Sequence, residues 1–282
     1  MTVERTRLAA RANKPQTRHN PSSVSAPLFD GVRAIFFDLD DTLCEYWEAA
    51  RTGLFETFAQ HGPPGYPPEE MVKHWATAFR GFLKEVSHPD WYSRYLKTAE
   101  VTRTEQMRRT LLEIGIVDEA RAQQLSDTYM KERDARLRLF DDSLEVLDLV
   151  KGKYSLGLIT NGPADLQRQE IATLKIESYF DAVLIEGEMG EGKPKLSVFR
   201  RAESCVGSSP EQTLFVGNSY AHDIRPAIDA GWRTAWIRRP TDIPPSAGPG
   251  GSAVEKKPED SPNPDATINN LRELVPMLSL NK

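Results

Sequence analysis

Residues 32–40 read VRAIFFDLD, a nearly continuous apolar run that stops at acidic residues. A strand with one wet face alternates apolar with polar residues, whereas a strand buried on both faces does not. The run therefore predicts an interior strand of a parallel sheet. Similar runs recur at YSLGLIT (154–160), DAVLIE (181–186), TLFVGN (213–218) and RTAWIR (233–238). Helix-like segments at 163–175, 195–206 and 222–230 lie between them. Strands alternating with helices predict an α/β fold, a parallel sheet with helices on both faces.

The stretch from 47 to about 150 breaks this alternation. Met71, Trp75, Phe79, Phe82 and Val86 keep to one face of a helix, and Met107, Leu111 and Ile114 do so again before Gly115. These spacings predict an all-helical cap over 45–142, inserted into a core made of 31–44 and 143–282. Residues 1–30 carry five basic residues against Glu4 and Asp30 and end in a Pro/Ser-rich stretch, so they are expected to form a disordered tail. An organellar transit peptide is the alternative for this acid-poor start. Residues 239–265, dense in proline, glycine and charge, are expected to form a flexible loop.

A net charge of -5 with mixed signs over 282 residues argues against a nucleic-acid scaffold. No run approaches the roughly eighteen consecutive apolar residues that a membrane-spanning helix needs, so no membrane partner is expected. Cys44 and Cys205 form neither a metal spacing nor a disulfide framework, which points to a reducing, cytoplasmic setting.

Ligands of parallel α/β sheets sit at the carboxyl ends of the strands, and four such ends are loaded with polar residues. They carry Asp38, Asp40 and Thr42; then Thr160, Asn161 and Gly162; then Lys193; then Asn218 and Asp223. DLDDTL is not a calcium loop, because Leu43 and Ala49 stand where that loop needs glycine and glutamate. GEMGEGKP at 187–194 satisfies a nucleotide-binding P-loop at all but its last position. Pro194 offers neither the hydroxyl nor the N–H required there, and Glu188 and Glu191 bring negative charge to the place of a triphosphate.

The four fragments fit phosphate chemistry jointly. A phosphate monoester dianion repels an attacking carboxylate, so its site needs a metal and a cation. Asp38 is the candidate nucleophile and Asp40 the candidate acid and base. Lys193 supplies charge, Thr160, Asn161 and Gly162 offer donors to phosphoryl oxygens, and Asp223 with Asp38 anchors Mg2+.

DLDDTL, LGLITNG, GKP and VGNSYAHDI, in this order, resemble the four motifs of the haloacid-dehalogenase-like hydrolase superfamily. The resemblance spans roughly 32–238, and DATINNLRELVPML at 265–278 looks like the family's final strand and helix. It implies a Rossmann-like core with a helical cap after the first motif, and a Mg2+-dependent phosphatase acting on a small phosphorylated metabolite. It adds the backbone carbonyl of Asp40 to the metal ligands and assigns Thr42 to the substrate site. One departure stands out: the family's acidic motif begins G-D, and here Asn218 replaces that aspartate, so its amide oxygen is the expected donor to Mg2+.

The family's dehalogenases need no acid two residues after the nucleophile, so Asp40 and Thr42 favour phosphoryl transfer. A weakly active binding or regulatory member is the other alternative, supported by Asn218 alone. For substrate contacts the cap offers Tyr46, Trp47 and the cluster Trp91, Tyr92, Arg94 and Tyr95, with Arg94 as the cation for a second anionic group.

Overall fold

The computed structural model describes residues 26–247 and 255–280. Six parallel strands form one sheet: β1 (Ala34–Phe37), β2 (Ser155–Thr160), β3 (Ala182–Ile185), β4 (Thr213–Gly217), β5 (Arg233–Ile237) and β6 (Ala266–Ile268). Their order is β3-β2-β1-β4-β5-β6, the doubly wound arrangement expected of a Rossmann-like core. The VRAIFFDLD run lies at its centre, between β2 and β4.

Side chains of a strand alternate between faces, and here both faces are covered. Ile35, Phe37, Leu158 and Val216 pack into one apolar cluster with Leu147, Ile171 and Leu274. Ala34, Phe36, Ile159 and Phe215 belong to a second with Phe199 and Trp232. Through these side chains the first face carries α6 (Ser143–Val150) and α7 (Ala164–Leu174), and the second carries α9 (Leu196–Val206). Two short helices, α8 (Glu186–Met189) and α10 (Arg225–Asp229), follow β3 and precede β5.

Between β1 and α6 lie five helices: α1 (Tyr46–His61), α2 (Pro68–Val86), α3 (Pro89–Tyr95), α4 (Ala99–Leu112) and α5 (Glu119–Asp134). They have an apolar cluster of their own, containing Leu54, Phe58, Met71, Trp75, Met107, Leu111 and Leu125. Local chemistry sets their ends: Thr98 and Asp118 accept hydrogen bonds from Glu100 and Arg121 N–H, and proline opens α2 and α3. The chain leaves the sheet and returns to it side by side, where Cys44 bridges Leu139 and Ser143 Oγ donates to the Leu43 carbonyl at 2.7 Å.

Three expectations change at the edges. The proposed tail at 1–30 ends too late, because Phe29 is fully buried and its N–H donates to Met277 O at 2.9 Å; residues 1–25 lie outside the described residues, as does any transit peptide there. Both described arms of the expected loop at 239–265 make specific contacts. Arg80 donates to Ser246 O at 2.7 Å, and Glu255 accepts from the Tyr220 and Ala221 amides at 2.7 and 2.9 Å; residues 248–254 are outside the described set. The last helix is a 3-10 helix, Leu271–Met277, with Pro276 inside it, where the missing N–H removes a hydrogen bond an α-helix needs.

Arg239 is the anchor of that first arm. It pairs in bidentate fashion with buried Asp142 at 2.8 Å and donates to the Thr42 carbonyl at 2.9 Å. Asp142 also accepts the Leu271 N–H at 2.7 Å. One ion pair thus ties the exit of β5, the turn after β1 and the C-terminal helix together. Removing one partner of such a pair costs about 3–5 kcal/mol, so Arg239→Ala should lower the urea midpoint by that equivalent; a loss under about 1 kcal/mol, the worth of a surface pair, would contradict the anchor. Burial alone raises the Asp142 pKa, but Arg239 outweighs it and holds the carboxyl below the ordinary 3.8. A depressed pKa stabilises the fold above the unfolded value and stops doing so as pH falls through the folded one. The gap between wild type and Arg239→Ala should therefore be widest near neutrality and narrow below about pH 4.

Candidate active site

Strand order reverses beside β1, and ligands of such sheets bind in the crevice at that point. Asp38 follows β1, while Asn218 and Asp223 follow its neighbour β4. After β1 the chain turns sharply, with Asp41 in the left-handed region at φ 55°, a conformation aspartate tolerates better than most residues. The turn swings Thr42 back, its hydroxyl 3.3 Å from Asp38 Oδ2 and 3.4 Å from Asn218 Oδ1.

Lys193 reaches the same point from the loop after α8. Its Nζ is 2.5 Å from Asp38 Oδ1 and 2.6 Å from Asp223 Oδ1, and all three residues are buried. Burial opposes the lysine's charge, but the two carboxylates outweigh it and push its pKa above the ordinary lysine value. Burial, with Asp223 and Asp40 beside it, raises the Asp38 pKa to about 7 against the pull of Lys193, and the ammonium at hydrogen-bond distance favours its carboxylate form. Asn161 places the lysine by a reciprocal pair of bonds, Nδ2 to Lys193 O at 2.7 Å and Lys193 N to Oδ1 at 2.8 Å. A Cβ on Gly192 would stand 2.6 Å from that Oδ1, so only glycine admits the clamp. Pro194 follows in a turn through a cis bond and lies before α9, not at its first position as a helix-starting proline would.

Asp223 sits in a π-helical turn, Tyr220–Ile224, with its Oδ2 accepting the Ser219 N–H at 2.9 Å. Its Oδ1, fully buried, touches Lys193 at ion-pair distance but has no aligned hydrogen bond. Among the described residues no group of three or more His, Cys, Asp or Glu is arranged to hold a metal. Asn218 stands beside Asp38 and Asp223 as an amide, not an acid. Its Nδ2 donates to Asp242 Oδ2 at 3.0 Å, which turns Oδ1 toward Thr42 and the site. Two carboxylates, one of them with an unaligned buried oxygen, and an oriented amide oxygen fit a hard, oxygen-loving cation.

Asp40 is half-buried beside the cleft. Its Oδ2 accepts Gln167 Nε2 at 3.3 Å. Burial raises its pKa to about 6, against the lowering effects of Arg133 and Gln167. A carboxyl poised there is protonated far more often at neutral pH than an ordinary one.

The expected phosphoryl cradle is arranged differently. The Thr160 hydroxyl donates to Gln167 Oε1 at 2.6 Å, the Gly162 amide to Glu186 Oε2 at 2.8 Å, and the Asn161 side chain is spent on Lys193. Buried donors take protein partners when they can. Thr160, Asn161 and Gly162 all line the cleft nonetheless, together with Asp38, Asp40, Lys193, Asn218 and Asp223. Tyr46, Trp47 and Tyr95 line it as well. The rest of the aromatic cluster does not: Tyr92 donates to Glu186 at 2.6 Å, Trp91 packs edge-on against Phe82, and exposed Arg94 stacks over Trp91 at 4.7 Å. Arg94 is therefore misplaced as a reader of a second anion.

Sequence reasoning missed Gln167 and Glu170, the latter paired with buried Arg133 of α5 at 3.0 Å. A signal was present: both are polar residues on the face of α7 that also carries Ile171 and Leu174, and all four are buried. Asp242 and Glu255 had none, since they stand in a Pro/Gly-rich stretch without periodicity.

Comparison with known proteins agrees with this architecture. The mouse (Mus musculus) N-acylneuraminate-9-phosphatase is 29% identical over 221 residues, covering 77% of this chain and 87% of that one. A glyceraldehyde 3-phosphate phosphatase of Methanocaldococcus jannaschii is 32% identical over 248 residues, covering 86% and 96%. Among solved structures, the magnesium-bound HAD-hydrolase YfnB of Bacillus subtilis superposes with a TM-score of 0.66 at 20% identity, covering 88% and 99%. The L-2-haloacid dehalogenase of Xanthobacter autotrophicus does so with 0.63 at 20%, covering 87% and 97%, so the fold itself does not choose between phosphate and halide. The family described as haloacid dehalogenase-like hydrolase matches residues 35–237. Because that match runs from within β1 to the end of β5, through Asp38, Asp40, Lys193, Asn218 and Asp223, the chain belongs to the haloacid dehalogenase-like hydrolases.

Proposed function

We propose that the chain is a Mg2+-dependent phosphomonoester hydrolase acting on a small phosphorylated metabolite through an aspartyl-phosphate. The observation that carries this reading is Asp40: a second carboxyl, two residues beyond the nucleophile, lining the same cleft with its pKa raised to about 6. An alkoxide leaving group needs a proton and a halide does not. The phosphatase relatives support the same choice.

In the proposed reaction an Asp38 oxygen attacks phosphorus as the bond from phosphorus to the ester oxygen breaks, and Asp40 gives its proton to that oxygen. Water then attacks the acyl phosphate, Asp40 takes a proton back, and inorganic phosphate leaves. Lys193 offsets the charge of the phosphoryl group while holding Asp38 in line. Asp38, Asp223, the Asn218 amide oxygen and the Asp40 carbonyl would hold Mg2+, which supplies further positive charge against the phosphoryl oxygens when bound. Thr42 keeps Asp38 and Asn218 in register. Thr160 and Gly162 contribute to phosphoryl binding if the substrate displaces Gln167 and Glu186 from them, and Asn161 acts through Lys193. The five inserted helices act as the cap that closes the cleft, and no helix among the described residues is long and apolar enough to cross a membrane.

Asp38→Asn should reduce Mg2+-dependent phosphate release to background. Asp40→Asn should slow an alkyl phosphate by about 10²–10⁴ and p-nitrophenyl phosphate far less, because nitrophenolate leaves unprotonated. The wild-type kcat/KM for the alkyl ester should fall as pH rises past the Asp40 pKa, and that limb should vanish in the variant. Equal losses on both esters would remove Asp40 from the acid's role.

Asn218→Asp alone should not tighten Mg2+, since the new carboxylate would face Asp242 across 3.0 Å. The exchange of both, Asn218→Asp with Asp242→Asn, keeps the hydrogen bond and moves the charge into the site. Titration calorimetry should show it binding Mg2+ several-fold more tightly than wild type; no gain would mean that the charge of Asp242 already acts on the metal through the amide.

A further inference from the structure

The cleft continues from Asp38 and Lys193 into the helical layer, with a volume of about 510 Å3. That is far more space than a phosphoryl group fills and is the size of pocket that encloses a ring-bearing ligand. Its helical wall is aromatic: Trp75 and Phe79 stack at 4.8 Å and 13°, with Phe82 and Tyr95 beside them. Such a wall recognises flat, apolar bodies.

A cationic side chain, Arg103, interrupts it. Arg103 of α4 spends Nε on Ser126 and Nη1 on the Met130 sulfur, and among the described residues no carboxylate lies within ion-pair distance of it. Glu100 and Asp127 act on it only through space, and Arg133 repels it. Arg103 is half-buried, and a guanidinium there with no carboxylate partner is placed to pair with an anionic ligand.

We propose, resting on the phosphatase reading above, that the substrate's alcohol carries a ring and a carboxylate. The ring lies along Trp75 and Phe79, and the carboxylate is the missing counter-ion of Arg103. Arg103 takes the part that Arg94 cannot, because Arg94 is exposed and outside the cleft.

The test compares four primary-alcohol phosphates with leaving groups of similar basicity: 4-(phosphonooxymethyl)benzoate with ring and carboxylate, benzyl phosphate with the ring, phosphoserine with a carboxylate, and glycerol 3-phosphate with neither. In Mg2+, kcat/KM should be at least tenfold higher for the first than for any other. Arg103→Met should erase the advantage over benzyl phosphate and keep that of benzyl phosphate over glycerol 3-phosphate, while Arg103→Lys should restore part of the carboxylate gain. Circular dichroism checks that both variants fold. Comparable, metal-dependent release from all four substrates would overturn the substrate class and leave the phosphatase standing. An Arg103→Met variant that folds and retains the full carboxylate advantage would overturn the role of Arg103. Release from none above the Asp38→Asn background would overturn the phosphatase reading, and this inference with it.

Discussion

The ammonium of Lys193 lies between the carboxylates of Asp38 and Asp223, with all three removed from water. Carboxylates this close repel one another strongly in a low-dielectric site, and one lysine neutralises only one of them. The site is therefore built around an unbalanced negative charge, and much of the surrounding structure serves to hold that lysine in place. Asn161 clamps its backbone on both sides, Gly192 makes room for the clamp, and Gly217 makes room for Asp223, whose Oδ2 would lie 2.5 Å from any Cβ there. The residual charge is what a divalent cation and a phosphoryl group are proposed to meet.

Two further buried ion pairs extend this arrangement outward. Arg133 carries the helical layer onto Glu170 of α7, next to Gln167, which touches both Asp40 and Glu170. Gly53 lets α1 approach so closely that a Cβ would come within 2.9 Å of the Arg133 backbone. Arg239 binds the turn carrying Thr42 to Asp142 and the C-terminal helix. Displacement of the inserted helices would thus be felt at Asp40, the proposed acid, through one arginine and one glutamine. The chain itself crosses between sheet and helices at the paired segments near Cys44 and Leu139.

Much of this was legible because the physics is local. A strand buried on both faces has to be apolar throughout, so VRAIFFDLD located β1, and the acids that end it marked the ligand edge. Met71, Trp75 and Phe82 share a helix face because their spacing fits its turn, and they are buried in the structure. What escaped the sequence was pairwise and long-range. Thr160 and Gly162 look like free donors until Gln167 and Glu186, 7 and 24 residues later, fold back to accept from them. Phe29 and Arg239 sit in stretches whose composition reads as disorder, yet a single buried side chain in each ties the backbone down. Composition averages over such anchors and cannot show them. The lysine of EGEMGEGKPK has the spacing of a nucleotide-binding loop; the sequence already set it against Asp38 as a single charge, and the fold adds the contact itself, across 155 positions of chain.

In the proposed reaction Asp38 forms a covalent bond to phosphorus, and Asp40 assists both its formation and its hydrolysis. Acid-quenched single turnovers, analysed by peptide mass spectrometry, test it most directly. A transient phosphoryl group should appear on the peptide carrying Asp38, absent from Asp38→Asn and longer-lived in Asp40→Asn with a substrate whose leaving group needs no proton. Turnover with no phosphorylated peptide at any time, or with the phosphoryl group on another residue, would contradict it.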